Sequence, residues 1–138
     1  MLYNKIVNWN EFDKEVRILA SKIDFHPDFV VGIARGGVIP AAIIARVLQV
    51  KDMYVLKIRK EVEERRVMAE TVPSPDGAKI LLVEDMLETG ESLIAGKKYL
   101  ESKGAEVKTA CLYTMPQTHI VPDYSLHEVS EVQKFPWE

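Results

Sequence analysis

The sequence has little cysteine, no large excess of charge of either sign and no long apolar segment. Its single cysteine, Cys111, cannot form a disulfide within the chain, as is typical of a protein in the reducing cytoplasm. Because 18 Lys and Arg stand against 21 Asp and Glu, the net charge of −3 argues against nucleic acid or an anionic membrane as a partner. The longest uncharged apolar stretch, residues 38–45, is too short to span a membrane, and the first residues show no signal-peptide pattern. We therefore expect a small cytoplasmic protein.

The remaining composition is that of one globular domain. Hydrophobic residues make up 47% of the 138 residues and charged residues 28%, and a chain of this length is too short for two ordinary domains. Such a chain can bury roughly two-thirds of its unfolded surface, so that it needs no disulfide or structural metal for stability. We treat residues 1–138 as a single domain.

Strand and helix patterns alternate along the chain. Short apolar runs predict strands, and apolar residues at helical spacing predict helices. The strands are expected at 29–34, 53–58, 79–84 and 106–113, and the helices at 10–24 (with Asn10 as N-cap), 40–48 and 91–102 (with Gly104 as C-cap). This alternation indicates an α/β fold with a mainly parallel sheet.

Two segments lack a clear period. Residues 59–78 carry much of the local charge and are interpreted as a long mobile loop, with room for a short ribbon. Loops of this length inside a compact domain are uncommon and usually functional. Residues 114–138 contain three prolines and are interpreted as a cap on the sheet.

The predicted strand 29–34 ends in an unusual turn, Ala34-Arg35-Gly36-Gly37. Ligands of open parallel sheets bind at the carboxyl ends of the strands, so this turn is a candidate binding site. Paired glycines allow the backbone amides to approach an anion closely, and Arg35 adds positive charge. The alternative is a tight turn with a solvated arginine.

The predicted strand 79–84 ends in three acids within five residues, Glu84, Asp85 and Glu88, followed by Thr89-Gly90-Glu91-Ser92 at a helix start. Adjacent carboxylates repel one another unless a cation or a hydroxyl-rich ligand lies between them. Helix N-terminal amides, together with the hydroxyls of Thr89 and Ser92, suit a phosphate. The alternative is a capped helix whose acids complement its dipole. The sequence contains no P-loop pattern.

The thirteen residues from Ile80 to Ser92 resemble the phosphoribosyl-diphosphate signature of the type I phosphoribosyltransferases: four apolar residues, two acids, two apolar residues, an acid or small residue, then Thr-Gly-x-Thr/Ser. The resemblance covers roughly residues 28–138. Ala34–Gly37 resembles the family's diphosphate loop, which implies a cis or strained Ala34–Arg35 bond, and 59–78 resembles its flexible lid. The ending Val121-Pro-Asp-Tyr124…Phe135-Pro-Trp-Glu138 resembles small archaeal and bacterial purine phosphoribosyltransferases. The implied fold is a three-layer twisted sheet flanked by helices, with a C-terminal hood over about 114–138.

The resemblance implies transfer of the phosphoribosyl group from phosphoribosyl diphosphate to a base, most similar to purine salvage, with release of diphosphate and with Mg²⁺ as cofactor. It implies a nucleobase or a nucleoside monophosphate as the other ligand, and a homodimer or higher homo-oligomer. The implied roles follow the motifs. The ribose hydroxyls and Mg²⁺ would be bound by Glu84 and Asp85. The 5′-phosphate would be bound by Glu88, Thr89, Gly90, Glu91 and Ser92. The diphosphate would be bound by Arg35, Gly36, Gly37, Lys57 and Arg65. Glu88, Arg35 and Arg65 are the catalytic candidates.

Three residues depart from the family pattern where the base is expected. Glu88 replaces the usual Asp near the purine N7, Met115 stands where a Lys commonly contacts the 6-oxo group, and Val132 replaces a stacking aromatic. With Gln133 they form the candidate base-binding set. Three alternatives remain: a transferase for an unusual, non-purine base, a non-catalytic module that senses phosphoribosyl diphosphate or nucleotides, and a phosphoacceptor receiver domain. The last needs a lysine at a later strand end, and none stands near Met115.

Overall fold

The computed structural model describes residues 5–61, 64–70 and 72–138. These residues form three helices and eight strands in an alternating order. The elements are β1 (Lys5–Ile6), α1 (Trp9–Lys22), β2 (Phe29–Ala34), α2 (Val38–Val47), β3 (Met53–Glu61), β4 (Glu64–Glu70), β5 (Lys79–Leu87), α3 (Glu91–Ser102), β6 (Glu106–Thr114), β7 (Tyr124–Glu128) and β8 (Gln133–Lys134).

Six strands form one sheet in the order β4-β3-β2-β5-β6-β7. All neighbours are parallel except β3 and β4, which are antiparallel. The two short strands β1 and β8 pair separately and in parallel. The predicted α/β fold with a mainly parallel sheet is confirmed.

Both faces of the sheet are covered, which gives three layers. Along β2, Val30 packs into the buried cluster under α1 and α2, whereas the next residue, Val31, packs into the cluster under α3. Leu81 and Leu82 of β5 divide in the same way, because successive side chains of a strand point to opposite faces. Strands buried on both faces have continuous apolar runs, which is why the sequence marks them so clearly. No helix in the described part of the chain is long and apolar enough to cross a membrane.

Helix α1 begins at Trp9, and its N-cap is Asn8, so the prediction of Asn10 as N-cap is wrong. The Asn8 side-chain oxygen accepts the Glu11 N–H at 2.8 Å, and the Asn8 amide donates to the Glu11 carboxylate at 3.0 Å. This reciprocal pair is similar to a capping box, except that the Asn8 side-chain amide, and not its backbone N–H, donates to the glutamate three residues later. A glutamate, Glu11, stands three residues after Asn8, whereas the residue three positions after Asn10 is not a glutamate.

Residues 59–61 and 64–70 form a β-hairpin, which is the short ribbon that the prediction allowed within the loop over 59–78. Strand β3 continues to Glu61, and β4 pairs with it so that Ile58 lies opposite Val67 and Arg59 opposite Arg66. Charged residues on both strands hide the alternation, whereas Ile58 and Val67 pack against the buried cluster under α3. Residues 62–63 and 71 of the expected mobile loop lie outside the described residues, and its mobility stays a prediction.

The tail also contains more structure than the sequence indicated. Strand β7 extends the sheet by pairing with β6, so residues 124–128 within the predicted cap form an edge strand, and their partial exposure masks its period. Further along, Phe135 is buried and stacks between Tyr113, at 5.6 Å, and Trp137, at 4.9 Å. Phe12 of α1 meets Trp137 edge-on at 4.9 Å. This aromatic cluster attaches the C-terminal residues to α1.

Candidate active site

The carboxyl ends of the central strands meet at one edge of the sheet. Ala34, the last residue of β2, lies in register with Lys57 of β3. On the other side of β2, strand β5 runs on through Glu84 and Asp85 to Leu87. Residues from three separate motifs are thereby brought to one edge, as the parallel sheet predicts.

The turn after β2 is held by contacts that only glycine permits. The Ala34–Arg35 peptide bond is cis, as expected. A Cβ built on Gly37 would lie 2.2 Å from the carbonyl oxygen of Val83, and one on Gly36 would lie 2.2 Å from Oδ2 of Asp85. Gly37 therefore serves the packing of the turn on β5, whereas Gly36 brings the turn against an acidic side chain. The paired glycines have two separate tasks.

Glu84 and Asp85 form a half-buried acidic pair. The Glu84 carboxylate accepts the Asp85 N–H at 3.2 Å, and the Asp85 carboxylate accepts the Met86 N–H at 2.7 Å. Burial raises the pKa of Glu84 well above its ordinary value, and repulsion by Asp85 adds to this. Burial also raises the pKa of Asp85 to about 6, and the charge of Glu138 adds to that. In the described part of the chain, neither carboxylate forms a salt bridge.

Residues 88–92, which we call the 88–92 turn, connect the end of β5 to the first residues of α3. Gly90 has a left-handed backbone with φ of 81°, and a Cβ there would lie 2.6 Å from Ile120 and 2.7 Å from the Thr118 hydroxyl. The Thr89 carbonyl accepts the His119 N–H at 2.8 Å. The N-cap residue, Gly90, has no side chain to cap α3. The turn therefore presents helix N-terminal amides, supported from behind by residues 118–120.

Three cavities follow this edge. The acidic cavity, of about 620 Å³, is lined by residues of both motifs and of the C-terminus, including Arg35, Gly36, Glu84, Asp85, Ser92, Trp137 and Glu138. The turn cavity, of about 310 Å³, is lined by the 88–92 turn with Arg65, Glu84 and Met86. The basic cavity, of about 750 Å³, is lined by Arg35, Lys57 and Arg59, among others. Shared residues join the three cavities into one continuous site.

Arg65 lies at the 88–92 turn, away from the other two basic candidates. Its guanidinium is 3.1 Å from the Glu91 carboxylate, and it lines the turn cavity. Arg35 and Lys57 line the basic cavity instead. The three basic side chains expected to share one role thus occupy two neighbouring positions in the site.

The four candidate base-binding residues are only partly brought together. Glu88 is exposed and lines the turn cavity. Met115 is buried, with its N–H bonded to the Leu87 carbonyl at 2.9 Å, and Val132 is 39% exposed. The Gln133 side chain lines a separate cavity of about 570 Å³ with Tyr113 and His127. Its backbone N–H, however, donates to the Met86 sulfur at 3.5 Å, which links the C-terminal residues to the end of β5 beside the turn cavity.

Sequence reasoning did not identify Met86, Trp137 or Glu138 as site residues. Trp137 and Glu138 line the acidic cavity, although they stand more than fifty residues after its acids. The Glu138 carboxylate accepts the Phe135 N–H at 3.1 Å, which fixes it near Asp85. The signal was present in the Phe-Pro-Trp-Glu ending, which carried the resemblance but was not assigned a place in the site.

Comparison with known proteins agrees with this geometry. A model of the phosphoribosyl transferase domain matches residues 3–138. The chain is 32% identical over 139 residues to the xanthine-guanine phosphoribosyltransferase of Chromohalobacter salexigens, covering 96% of this chain and 82% of that one. The purine phosphoribosyltransferase from Pyrococcus horikoshii superposes with a TM-score of 0.88 at 28% identity, over 98% of this chain and 94% of that one.

A more distant structure supports the fold alone. The Helicobacter pylori xanthine-guanine-hypoxanthine phosphoribosyltransferase superposes with a TM-score of 0.84 at 20% identity, over 99% of this chain and 94% of that one. Since the family model also includes α1, the match extends further than the motifs that first suggested it. The chain belongs to the phosphoribosyltransferase family of enzymes and has the type I fold.

Proposed function

We propose that the protein transfers the 5-phosphoribosyl group of phosphoribosyl diphosphate to a purine base in nucleotide salvage. The bond between C1′ of the ribose and a diphosphate oxygen breaks, a bond between C1′ and a base nitrogen forms, and the base loses a proton. The observation that carries this proposal is the acidic cavity, in which Arg35 of the turn after β2 meets Asp85 and Ser92 of the motif over 80–92. It offers separate positions for diphosphate, ribose hydroxyls and 5′-phosphate in one space.

Arg35 and Lys57 are suited to the leaving diphosphate. Both line the basic cavity, and Lys57 is in register with the residue preceding Arg35. Negative charge grows on the diphosphate as the ribose becomes oxocarbenium-like, so fixed positive groups here stabilise the transition state more than the ground state. Gly36 lets the turn lie against the acidic pair at the same time.

The 88–92 turn is suited to the 5′-phosphate. The N-terminus of α3 presents backbone amides there, with the hydroxyls of Thr89 and Ser92 close by. Helix N-termini attract anions through these amides and through the helix dipole. Glu88 lines the same cavity and is exposed, so it can accept the proton that the purine loses.

Glu84 and Asp85 fit a Mg²⁺ ion that arrives with the substrate. Their oxygens are hard ligands, and Mg²⁺ is usually held by one or two carboxylates together with phosphates and water. The described residues contain no group of three or more His, Cys, Asp or Glu that could hold a metal by themselves. When bound, Mg²⁺ would neutralise charge on the diphosphate. Burial raises the pKa of both carboxyl groups, and the added repulsion comes from Asp85 for Glu84 and from Glu138 for Asp85.

The base itself is the open part of the proposal. Met115 is buried and uncharged and Val132 is aliphatic, so neither supplies the cation or the aromatic ring expected for a 6-oxopurine. This favours, as a second candidate, a transferase for a base without a 6-oxo group. The β3–β4 hairpin lies beside the site through Arg59 and Arg65, and its closure over the substrate would exclude water from the activated ribose.

A homo-oligomer in the cytoplasm completes the proposal. The support for the cytoplasm is the single cysteine, Cys111, which is buried and cannot form a disulfide within the chain. Sedimentation of the purified protein checks the oligomer.

Diphosphate release tests the function. The protein is supplied with phosphoribosyl diphosphate, Mg²⁺ and one base at a time from a panel of guanine, xanthine, hypoxanthine, adenine and pyrimidines. The proposal expects release with at least one purine and much less without a base. Binding of phosphoribosyl diphosphate with no release for any base would favour the non-catalytic module instead.

A further inference from the structure

An ion pair lies in the lining of the turn cavity. The Arg65 guanidinium lies 3.1 Å from the carboxylate of Glu91, the first residue of α3. The arginine side chain is 20% exposed and the glutamate side chain 46% exposed, so the pair lies at the cavity mouth. Both residues line the same cavity as Thr89, Gly90 and Ser92.

The position of Arg65 is set by packing of the hairpin on the core. Arg65 and Val67 lie two residues apart on β4 and therefore share a face. Val67 packs against the buried cluster under α3 and pairs with Ile58. Ile58 in turn approaches Gly96, where a Cβ would lie 3.2 Å from the Ile58 Cδ1. The packing of Val67 and Ile58 therefore places the Arg65 guanidinium near the start of α3, and these contacts do not involve Glu91.

Glu91 brings negative charge into a turn otherwise built for an anion. Its N–H lies 3.4 Å from the Thr89 hydroxyl oxygen, so its backbone belongs to the same amide-rich turn that would hold a phosphate. A phosphate in this turn would be repelled by the carboxylate and attracted by the guanidinium. The Glu91 carboxylate and a bound phosphate cannot both form their full set of bonds to the Arg65 guanidinium at the same time.

Resting on the function proposed above, we infer that Glu91 occupies Arg65 in place of the substrate's 5′-phosphate. In the ligand-free protein Glu91 is an internal competitor, and an entering 5′-phosphate takes over the guanidinium and frees the carboxylate. Phosphate affinity is therefore set by the exchange of one anion for another at Arg65. Charge-assisted bonds to phosphate are stronger than an exposed carboxylate pair, so the exchange favours substrate while weakening its net binding.

A double-mutant cycle on ribose 5-phosphate tests the inference, because this ligand has the 5′-phosphate but no diphosphate. Its affinity is measured by calorimetry at low salt for the unmodified protein, Glu91→Gln, Arg65→Gln and the double variant. We expect Glu91→Gln to bind about three- to tenfold more tightly and Arg65→Gln to bind more weakly. In the Arg65→Gln background, Glu91→Gln should change affinity less than about twofold, since the competition no longer exists.

Two results would overturn the inference. An equal gain in both backgrounds would mean that Glu91 only repels phosphate through space. Weaker or unchanged binding by Glu91→Gln would mean that the glutamate positions Arg65 or has no part. Glu101→Gln is the matched control, since it removes an exposed acid at the far end of the same helix. The cycle measures binding only. A protein that binds ribose 5-phosphate but fails to release diphosphate would contradict the proposed function, and the affinities of the four variants would still test the inference.

Discussion

The carboxylate of Asp85 lies directly against the backbone of Gly36. A Cβ on Gly36 would lie 2.2 Å from Oδ2 of Asp85 and 2.6 Å from its Cγ, which is closer than any real Cβ contact. The turn after β2 and the acidic end of β5 therefore pack this closely only because residue 36 has no Cβ. Since Arg35 precedes Gly36, this contact also fixes the distance between the positive and the negative parts of the site.

Gly36→Ala is expected to damage catalysis far more than stability. The Asp85 carboxylate must rotate away or the turn must shift, and either movement displaces groups that have to be placed within a fraction of an ångström. A misplacement of about 1 Å can cost on the order of 100-fold in rate. The measurement is kcat/KM for phosphoribosyl diphosphate, compared with the thermal melting temperature.

Gly77→Ala is the control for this substitution. Gly77 has φ of 74° with no atom within 4 Å of a built Cβ, and it precedes β5 at the opposite edge of the sheet. Alanine there should cost about 1 kcal/mol in stability through the backbone alone and leave kcat/KM unchanged. Equal activity of the two variants would contradict the role given to Gly36.

Asp85→Asn should stabilise the empty protein at neutral pH while lowering turnover. Burial raises the pKa of Asp85 to about 6, above about 3.9 in the unfolded chain, so ionisation costs folding free energy as the pH rises from about 4 to 6. The asparagine variant escapes that cost and can still accept the Met86 N–H. We expect a gain of about 1 kcal/mol, or about 3–5 °C in Tm, at pH 7.5 and little gain at pH 4. A large fall in Tm at pH 7.5 would instead assign Asp85 a structural role.

The sequence was most informative where local pattern and burial coincide. Strands β2 and β5 are buried on both faces, so their apolar runs are continuous in the sequence. Helix α3 is bounded by turn residues, and its predicted bounds, 91–102, are confirmed. The cluster of Glu84, Asp85 and the 88–92 turn was found for the same reason: it is contiguous in sequence.

Features that depend on distant contacts could not be found in this way. Strand β4 is defined by its pairing with β3, and Val67, which packs against the buried cluster under α3, follows three charged residues in the sequence. The meeting of Arg65 with Glu91 requires the hairpin to pack on α3. Glu138 reaches Asp85 only because the aromatic cluster folds the C-terminal residues back over α1.

Mg²⁺ and diphosphate should bind the protein together better than either binds alone. Glu84 and Asp85 offer too few ligands to hold Mg²⁺ tightly, whereas diphosphate supplies further oxygens and is itself drawn to Arg35 and Lys57. We expect a small shift in Tm with Mg²⁺ alone and a clearly larger one when both are present, because binding to the native state adds stability. In Asp85→Asn the extra shift should largely disappear. A full shift with Mg²⁺ alone would point to a metal site independent of the substrate.

Guanine and hypoxanthine should be poor substrates if Met115 and Val132 face the base. The missing stack is worth about 0.5–1.5 kcal/mol, and the missing charged hydrogen bond about 1.5–3 kcal/mol. The double variant Met115→Lys, Val132→Trp should lower KM for these bases and leave KM for phosphoribosyl diphosphate nearly unchanged. Val47→Trp is the control, because Val47 is 37% exposed, close to the 39% of Val132, but ends α2 at the far side of the sheet. An unmodified protein that already binds guanine tightly would show that this placement is wrong.

Phosphorus NMR of the complete reaction tests the central claim most directly. Phosphoribosyl diphosphate is followed with Mg²⁺ and protein, first without a base and then with the best base of the panel. The account predicts that its signals persist without a base and are replaced, on addition of the base, by diphosphate and a nucleoside 5′-monophosphate in equal amounts. Persistence of the substrate signals with every base, or diphosphate release that needs no base, would contradict it.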